Sequence, residues 1–360
     1  MNSDNVRYVG RSSLITYTAG HFLVDFACGY ILFNMYAAEQ LEAVSVSLLF
    51  IFYNLLAFGT QFALGAVSDM IRSNGSLFAA SGCVLTAAGL AVGGNIPYLA
   101  VTLTGLGNAA FHVGGGTDAL TRDNSMTRAG IFVSTGTLGI ALGSHMGTDG
   151  KIPVVFLIAI LVTVAVSVFA FCTAKRRIPV PDADPDDDND TLFSRRSVLS
   201  AAGPAVAVLM IAVFIRSWVG FTASFPESDS KFAFLLPACA AFAGKFVGGI
   251  LADLIGARRV AAVSVLLSAP LFFLGGSRFL FFLAAVFLFN IAMPVTLVEL
   301  ARRLPRHEGF AIGLTTLALF AGYLLSTVLH VSSSSSPFLT ALLAVVAAAA
   351  VAVTASDRRN

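Results

Sequence analysis

Apolar runs of about twenty residues recur along almost the whole chain, and they constrain the fold more than any other feature. A helix needs about 20 predominantly apolar residues to cross a bilayer. On that criterion the sequence predicts twelve spans, at roughly 14–36, 44–67, 76–94, 96–119, 129–149, 152–174, 203–223, 232–252, 260–276, 279–300, 309–330 and 337–355. Only 12 % of the residues are charged, half of the roughly 25 % of a soluble domain. Arg7 and Arg11 precede the first run as they would in a signal peptide, but that run is too long and lacks a small-residue cleavage site, so it reads as the first span. Cys28, Cys83, Cys172 and Cys239 all fall inside apolar runs and are widely spaced, which argues against a disulfide framework or a zinc site.

An even number of spans puts both termini on one side. Seventeen of the 22 Lys and Arg residues fall on that side, and only Lys151, Lys231 and Arg278 fall on the other. The positive-inside rule then makes both termini cytoplasmic, in a multi-pass inner-membrane protein. Arg216 and Lys245 are left within spans.

The chain also reads as a duplication. Residues 248–259, GGILADLIGARR, place Gly249 and Asp253 four apart at the end of one apolar run, with Arg258 and Arg259 following. The same device occurs 184 residues earlier as Gly65, Asp69 and Arg72. A second echo, offset by 179, relates Gly130, Thr137, Leu138 and Gly143 to Gly309, Thr316, Leu317 and Gly322. Between the halves, the Pro- and Asp-rich PVPDADPDDDND has nothing to bury and reads as a disordered linker. The expected organisation is a six-helix bundle over 1–174, an acidic cytoplasmic linker over 175–200 and a second bundle over 201–360.

Polar residues are distributed with a three-span period. Spans three, six, nine and twelve carry no charged or amide side chain and are free to face lipid. The others hold His21, Asp25, Asn34, Asn54, Gln61, Asn108, His112, Arg216, Lys245 and Asn290. A charge at the bilayer centre costs about 2.5–3.5 kcal/mol on insertion scales, so these residues should face protein or water. His21 and Asp25 are i and i+4 and share one helix face. At 1.5 Å per residue Asp25 lies roughly 16 Å into the bilayer, and His112, in an oppositely directed span, reaches the depth of His21. Arg216 matches the depth of Asp25.

Twelve spans, a central linker and paired Gly-x-x-x-Asp loops after spans two and eight resemble the major facilitator superfamily over essentially the whole chain. The loop is well matched in the second half (Gly249, Asp253, Gly256, Arg258, Arg259). In the first, Met70 stands where a basic residue is usual and the second glycine is displaced to Gly75. GHFLVDF in span one and GLGNAAFH in span four are similar to the fosmidomycin-resistance type of exporter. Span five lacks the Gly-Pro pair of proton-coupled drug antiporters. The resemblance implies an all-α protein with two pseudo-symmetric bundles and spans one, four, seven and ten around a central cavity.

Asp25, His21 and His112 are then the expected proton-coupling residues, since histidine titrates near neutrality. Each histidine equally fits a neutral interhelical hydrogen bond. Arg216, Lys245, Asn108 and Asn290 are the expected substrate contacts. A guanidinium is a good anion clamp and a poor proton carrier, although an ion pair with Asp25 fits Arg216 as well, and Lys245 has a stem long enough to snorkel. Gly65, Asp69, Arg72, Gly249, Asp253 and Arg258 are the expected gate, with both aspartates accepting from helix N-terminal amides. Gly114, Gly115 and Gly116 mark a bend at the gate or a frayed helix end. Trp218 reads as an interfacial anchor or as a cavity wall.

The expected function is secondary transport of a small anionic or zwitterionic organic molecule by alternating access, as proton-coupled efflux. Import or facilitated diffusion of an anionic metabolite is the alternative, which the missing Gly-Pro pair favours. The expected partners are that substrate, protons and the lipid bilayer, with no nucleic acid, no metal and no cofactor, and the chain acting as a monomer. An intramembrane enzyme with His21, Asp25 and His112 as metal ligands or a hydrolase centre is the reading from another class; no serine or cysteine nucleophile is placed beside them by spacing, and no acidic pair completes a metal set.

Overall fold

The computed structural model describes residues 11–37, 43–71, 75–120, 125–173, 192–223, 233–276, 278–329 and 336–356. All regular structure there is helical: α1 (Arg11–Ala37), α2 (Ala43–Asn54), α3 (Gln61–Met70), α4 (Gly75–Val92), α5 (Pro97–Leu120), α6 (Met126–Asp149) and α7 (Val154–Thr173) in the first half. The second half has α8 (Leu192–Thr222), α9 (Leu236–Ile255), α10 (Ala257–Gly275), α11 (Phe279–Asn290), α12 (Ala292–Arg303), α13 (Glu308–Val328) and α14 (Ser336–Thr354). Among the described residues eight apolar segments are long enough to cross a membrane, so the chain is a multi-pass membrane protein.

Two expected spans are divided. A π turn, Leu55–Gly59, joins α2 to α3, and Ile291 separates α11 from α12. A π turn inserts a residue into the i→i−4 ladder and is frequent at functional sites. The helix α8 starts at Leu192, so the last residues assigned to the linker are helical. Residues 182–190 and Arg72 lie outside the described residues.

The lipid-facing assignment follows the three-span period. The main packing partners of α4 and α7 are α1, α5 and each other, and those of α10 and α14 are likewise in their own half. Their outer faces expose apolar side chains: Phe156, Val166 and Phe169 on α7, Leu266 and Phe273 on α10, Phe338 and Val353 on α14. The helices α1, α5 and α6 are absent from the strongly apolar set. They are the three that meet at the polar cluster described below.

The halves join along two seams, α6 with α9 and α3 with α13. In each seam a glycine of one sequence repeat touches a glycine of the other. A Cβ on Gly249 would lie 3.1 Å from the Gly130 Cα, and one on Gly309 would lie 3.2 Å from the Gly65 Cα. Both repeat offsets in the sequence thus correspond to one crossed pair of close backbone contacts. The triple glycine does not fray α5, which runs on to Leu120. Gly114 lies against Phe78 on α4, Gly115 against Phe132 on α6 and Tyr17 on α1, and Gly116 against Ile312 on α13, so the run lets four neighbouring helices approach α5.

Candidate functional site

Helices α1, α5 and α6 bring four predicted polar residues into one cluster. Asn108 Nδ2 donates to Asp25 Oδ1 at 2.6 Å. His21 Nε2 lies 3.3 Å from Asp25 Oδ2, and His112 Nε2 lies 3.8 Å from Asp25 Oδ1. The two imidazoles meet edge to face, with centroids 4.4 Å apart. Gly136 forms the α6 wall; a Cβ there would collide with both Asp25 Oδ2 and His21 Nε2. Asn108, an expected substrate contact, instead forms part of this cluster, where it is 1 % exposed.

Backbone carbonyls fix the histidine tautomers. His21 Nδ1 lies 2.6 Å from the Phe132 carbonyl oxygen, and His112 Nδ1 lies 2.9 Å from that of Asn108. A carbonyl only accepts, so each Nδ1 carries the hydrogen. Each neutral ring then turns the lone pair of Nε2 towards a carboxylate that also only accepts when ionised. That approach is favourable only when a positive charge lies between them.

The second half supplies two cations within spans. Arg216 on α8 is buried and donates from NH1 to Thr296 Oγ1 on α12 at 3.3 Å. Its guanidinium lies 5.7 Å from the Phe289 ring centroid, within cation–π range. The ion pair with Asp25 that sequence depth allows is not among its contacts. Arg216 Nε and the Trp218 indole Nε1 are buried donors with no hydrogen-bond partner among the described residues. Trp218 therefore turns its polar atom inwards, as a cavity wall would. Lys245 on α9 donates to Thr137 on α6, and its charge acts on Asp25, His112 and Arg216. Asn290 donates to the Val286 carbonyl one turn back on its own helix and makes no such contact with Arg216.

The gate residues fall at the ends of the seams. Asp253 accepts from Met126 N at 3.1 Å, Thr127 N at 2.8 Å and Ser125 Oγ at 2.9 Å, all at the start of α6. Asp69 accepts from Gly309 N at 3.0 Å and Phe310 N at 2.8 Å, at the start of α13. The first amides of a helix have no partner within it, and its N-terminus carries partial positive charge. Each aspartate therefore caps a helix of the opposite half. Arg258 is exposed just beyond α9.

Sequence reasoning missed Glu299. It is 1 % exposed and pairs with Arg302 at 2.8 Å and Arg303 at 2.6 Å, and Arg303 also bonds the Thr354 carbonyl at the end of α14. The i, i+3, i+4 spacing of ELARR was the available signal. Thr296 and Phe289 had no comparable signal, because their relevance depends on contacts between distant helices, and Thr137 was marked only as a repeat position.

No family model and no curated protein matches the sequence. Solved structures do match the fold. A major facilitator superfamily transporter, FucP, in the outward conformation aligns with a TM-score of 0.76 at 13 % identity, covering 96 % of this chain and 100 % of that one. A variant of the E. coli fucose:proton symporter FucP aligns with a TM-score of 0.71 at 13 % identity, with the same coverage. The human organic anion transporter MFSD10 (TETRAN) aligns with a TM-score of 0.65 at 15 % identity, covering 96 % of this chain and 98 % of that one. The fosmidomycin-resistance subtype has no counterpart in these comparisons. These alignments over nearly the full length show that the chain has the fold of the major facilitator superfamily transporters.

Proposed function

We propose that the protein is a proton-coupled secondary transporter for a small organic anion or zwitterion, working by alternating access in the inner membrane with twelve spans and both termini cytoplasmic. The observation that carries this reading is the pair of unpartnered buried donors, Arg216 Nε and Trp218 Nε1, beside a guanidinium that contacts a hydroxyl and a ring. A buried donor without an acceptor is unfavourable by about 1–3 kcal/mol, and more when charged. An anionic group on the substrate removes that penalty, with Lys245 adding charge.

The proton side rests on Asp25, His21 and His112, whose contacts require a shared positive charge. An ionised Asp25 opposes part of the cationic field of Arg216 and Lys245, and a protonated Asp25 does not. Proton and anion binding are then positively linked. Asp25 and Arg216 have separate protein partners, so direct competition between proton and substrate for one group has no evident route. The linkage supports symport, and with it the importing direction. Antiport remains the second reading because the span-one and span-four stretches resemble an exporter.

Asp69 and Asp253 would act as latches: their caps close the cytoplasmic ends and break when those ends part, while Gly65 and Gly249 allow the seams to close. The likeness to the outward FucP structure supports assigning this arrangement to a cytoplasm-closed state. Flux of an organic anion, identified by a thermal-shift screen, in proteoliposomes with an imposed pH gradient tests the proposal. Accumulation on the side to which protons flow supports symport, depletion there supports antiport, and indifference to the gradient removes the proton from the mechanism.

A further inference from the structure

We infer that His21, Asp25 and His112 also form a binding site for a divalent transition-metal ion of the Zn2+ class. One ligand atom from each side chain lies within 4.8 Å of the others. In a tetrahedral zinc site with bonds of 2.0–2.1 Å, neighbouring ligand atoms lie about 3.3 Å apart. The His21 Nε2 to Asp25 Oδ2 separation is 3.3 Å and the His112 Nε2 to Asp25 Oδ1 separation is 3.8 Å. A small closure therefore brings the set to coordination distance.

The outer contacts match the same purpose. A metal-bound histidine typically donates its other ring N–H to a carbonyl or carboxylate, which fixes the ring and its tautomer. Both rings here do so, to the carbonyls of Phe132 and Asn108. Asn108 holds the carboxylate from its own side, and its Oδ1 is a buried acceptor without a partner among the described residues. Two imidazole nitrogens and one carboxylate select zinc and its neighbours over Mg2+ and Ca2+, which take oxygen ligands. The opposing charge is that of Lys245, which acts on both His112 and Asp25. The sequence offers the same three residues as ligands but no acidic pair to complete a set, and it expects no metal; the convergence of three ligand atoms is what reverses that expectation. A metal seated there would fasten α1 to α5 and hold the carboxylate to one set of partners.

Equilibrium dialysis of the purified full-length protein in detergent against Zn2+ tests the inference by binding alone, so its outcome is separable from that of the transport proposal. The expected result is one Zn2+ per chain, weakened at least tenfold in His112→Ala, His112→Gln and Asp25→Asn. Lys245→Ala should tighten binding several-fold, and His145→Ala and His307→Ala should leave it unchanged. Thermal melting reports whether each variant is folded. Substituting Co2+ in the unaltered chain keeps the test independent of variants, since its visible spectrum distinguishes a four-coordinate site with nitrogen donors from hydrated ion. Absence of stoichiometric Zn2+, a hydrated-ion Co2+ spectrum, or binding indifferent to both His112→Ala and Asp25→Asn overturns the inference.

Discussion

The two halves share one helical plan but carry different charged groups within it, Asp25 beside two histidines in the first and Arg216 and Lys245 in the second. In the first half, Asp25 is reached by Asn108, His21 and His112, and the unpartnered side-chain atoms near the π turn and the cluster are acceptors, Gln61 Oε1 and Asn108 Oδ1. In the second, the unpartnered atoms among the described residues are donors, Arg216 Nε and Trp218 Nε1. The first half also leaves donors unpartnered, Arg128 Nε and NH2 with the Thr18 and Ser76 hydroxyls, so the contrast lies between the two polar sites and not between the halves as wholes. On the proposed function, the first of these sites is the one that exchanges protons and the second the one that holds the anion.

That contrast can be broken most severely at Arg216. Arg216→Ala should lower anion affinity at least 100-fold, about 2.7 kcal/mol, in a calorimetric titration; an affinity within threefold of the original would place the anion elsewhere. Gly136→Ala attacks the other half, because its new Cβ collides with the Asp25 and His21 side chains. Overpacking of this kind costs about 1–3 kcal/mol and should appear as a lower melting temperature. Gly220, where a Cβ would meet nothing within 4 Å, is the matched control that should tolerate alanine. The two caps should differ as well. Asp253 receives two amides and a hydroxyl, whereas Asp69 receives two amides and has the Glu308 carboxylate nearby. Loss of a helix cap costs about 1 kcal/mol, so Asp253→Ala should shift crosslinking across the cytoplasmic ends further towards the open state than Asp69→Ala. The smallest effect is expected from Thr296→Val, which removes the hydroxyl that steadies Arg216 and should weaken anion binding only a few-fold.

Much of the scaffold was legible because membrane helices declare themselves locally. Run length located the helices, and the 184 and 179 offsets located the segments that touch across the seams, where only glycine lets backbones come so close. The divisions of two spans were legible in part: Gly59 ends the π turn, and Pro294, which cannot donate to the Asn290 carbonyl, follows the break at Ile291, but the surrounding apolar runs hid both. The polar cluster was partly legible: i, i+4 spacing joined His21 to Asp25, and depth brought His112 alongside. The tautomers depend on the Phe132 and Asn108 carbonyls, and backbone groups leave no mark in composition. Arg216 shows the limit of depth arguments. Its depth matches that of Asp25, yet it contacts Thr296 and Phe289, because rotation about the helix axis decides the partner.

Linkage between Asp25 and the anion pocket is the central claim, and the affinity for an organic anion between pH 5.5 and 8.5 tests it most directly. The titratable and charged groups facing Asp25 are His21, His112 and Lys245, with the Cys28 thiol and the Tyr53 hydroxyl also near it. Protonating Asp25 removes a negative charge near the pocket, so wild-type affinity should tighten as pH falls through the window around the histidine range. Asp25→Asn has the charge of the protonated acid; it should bind tightly across the whole window and lose gradient-driven accumulation. A wild-type pH profile retained in Asp25→Asn would contradict the account and move the coupling to the histidines.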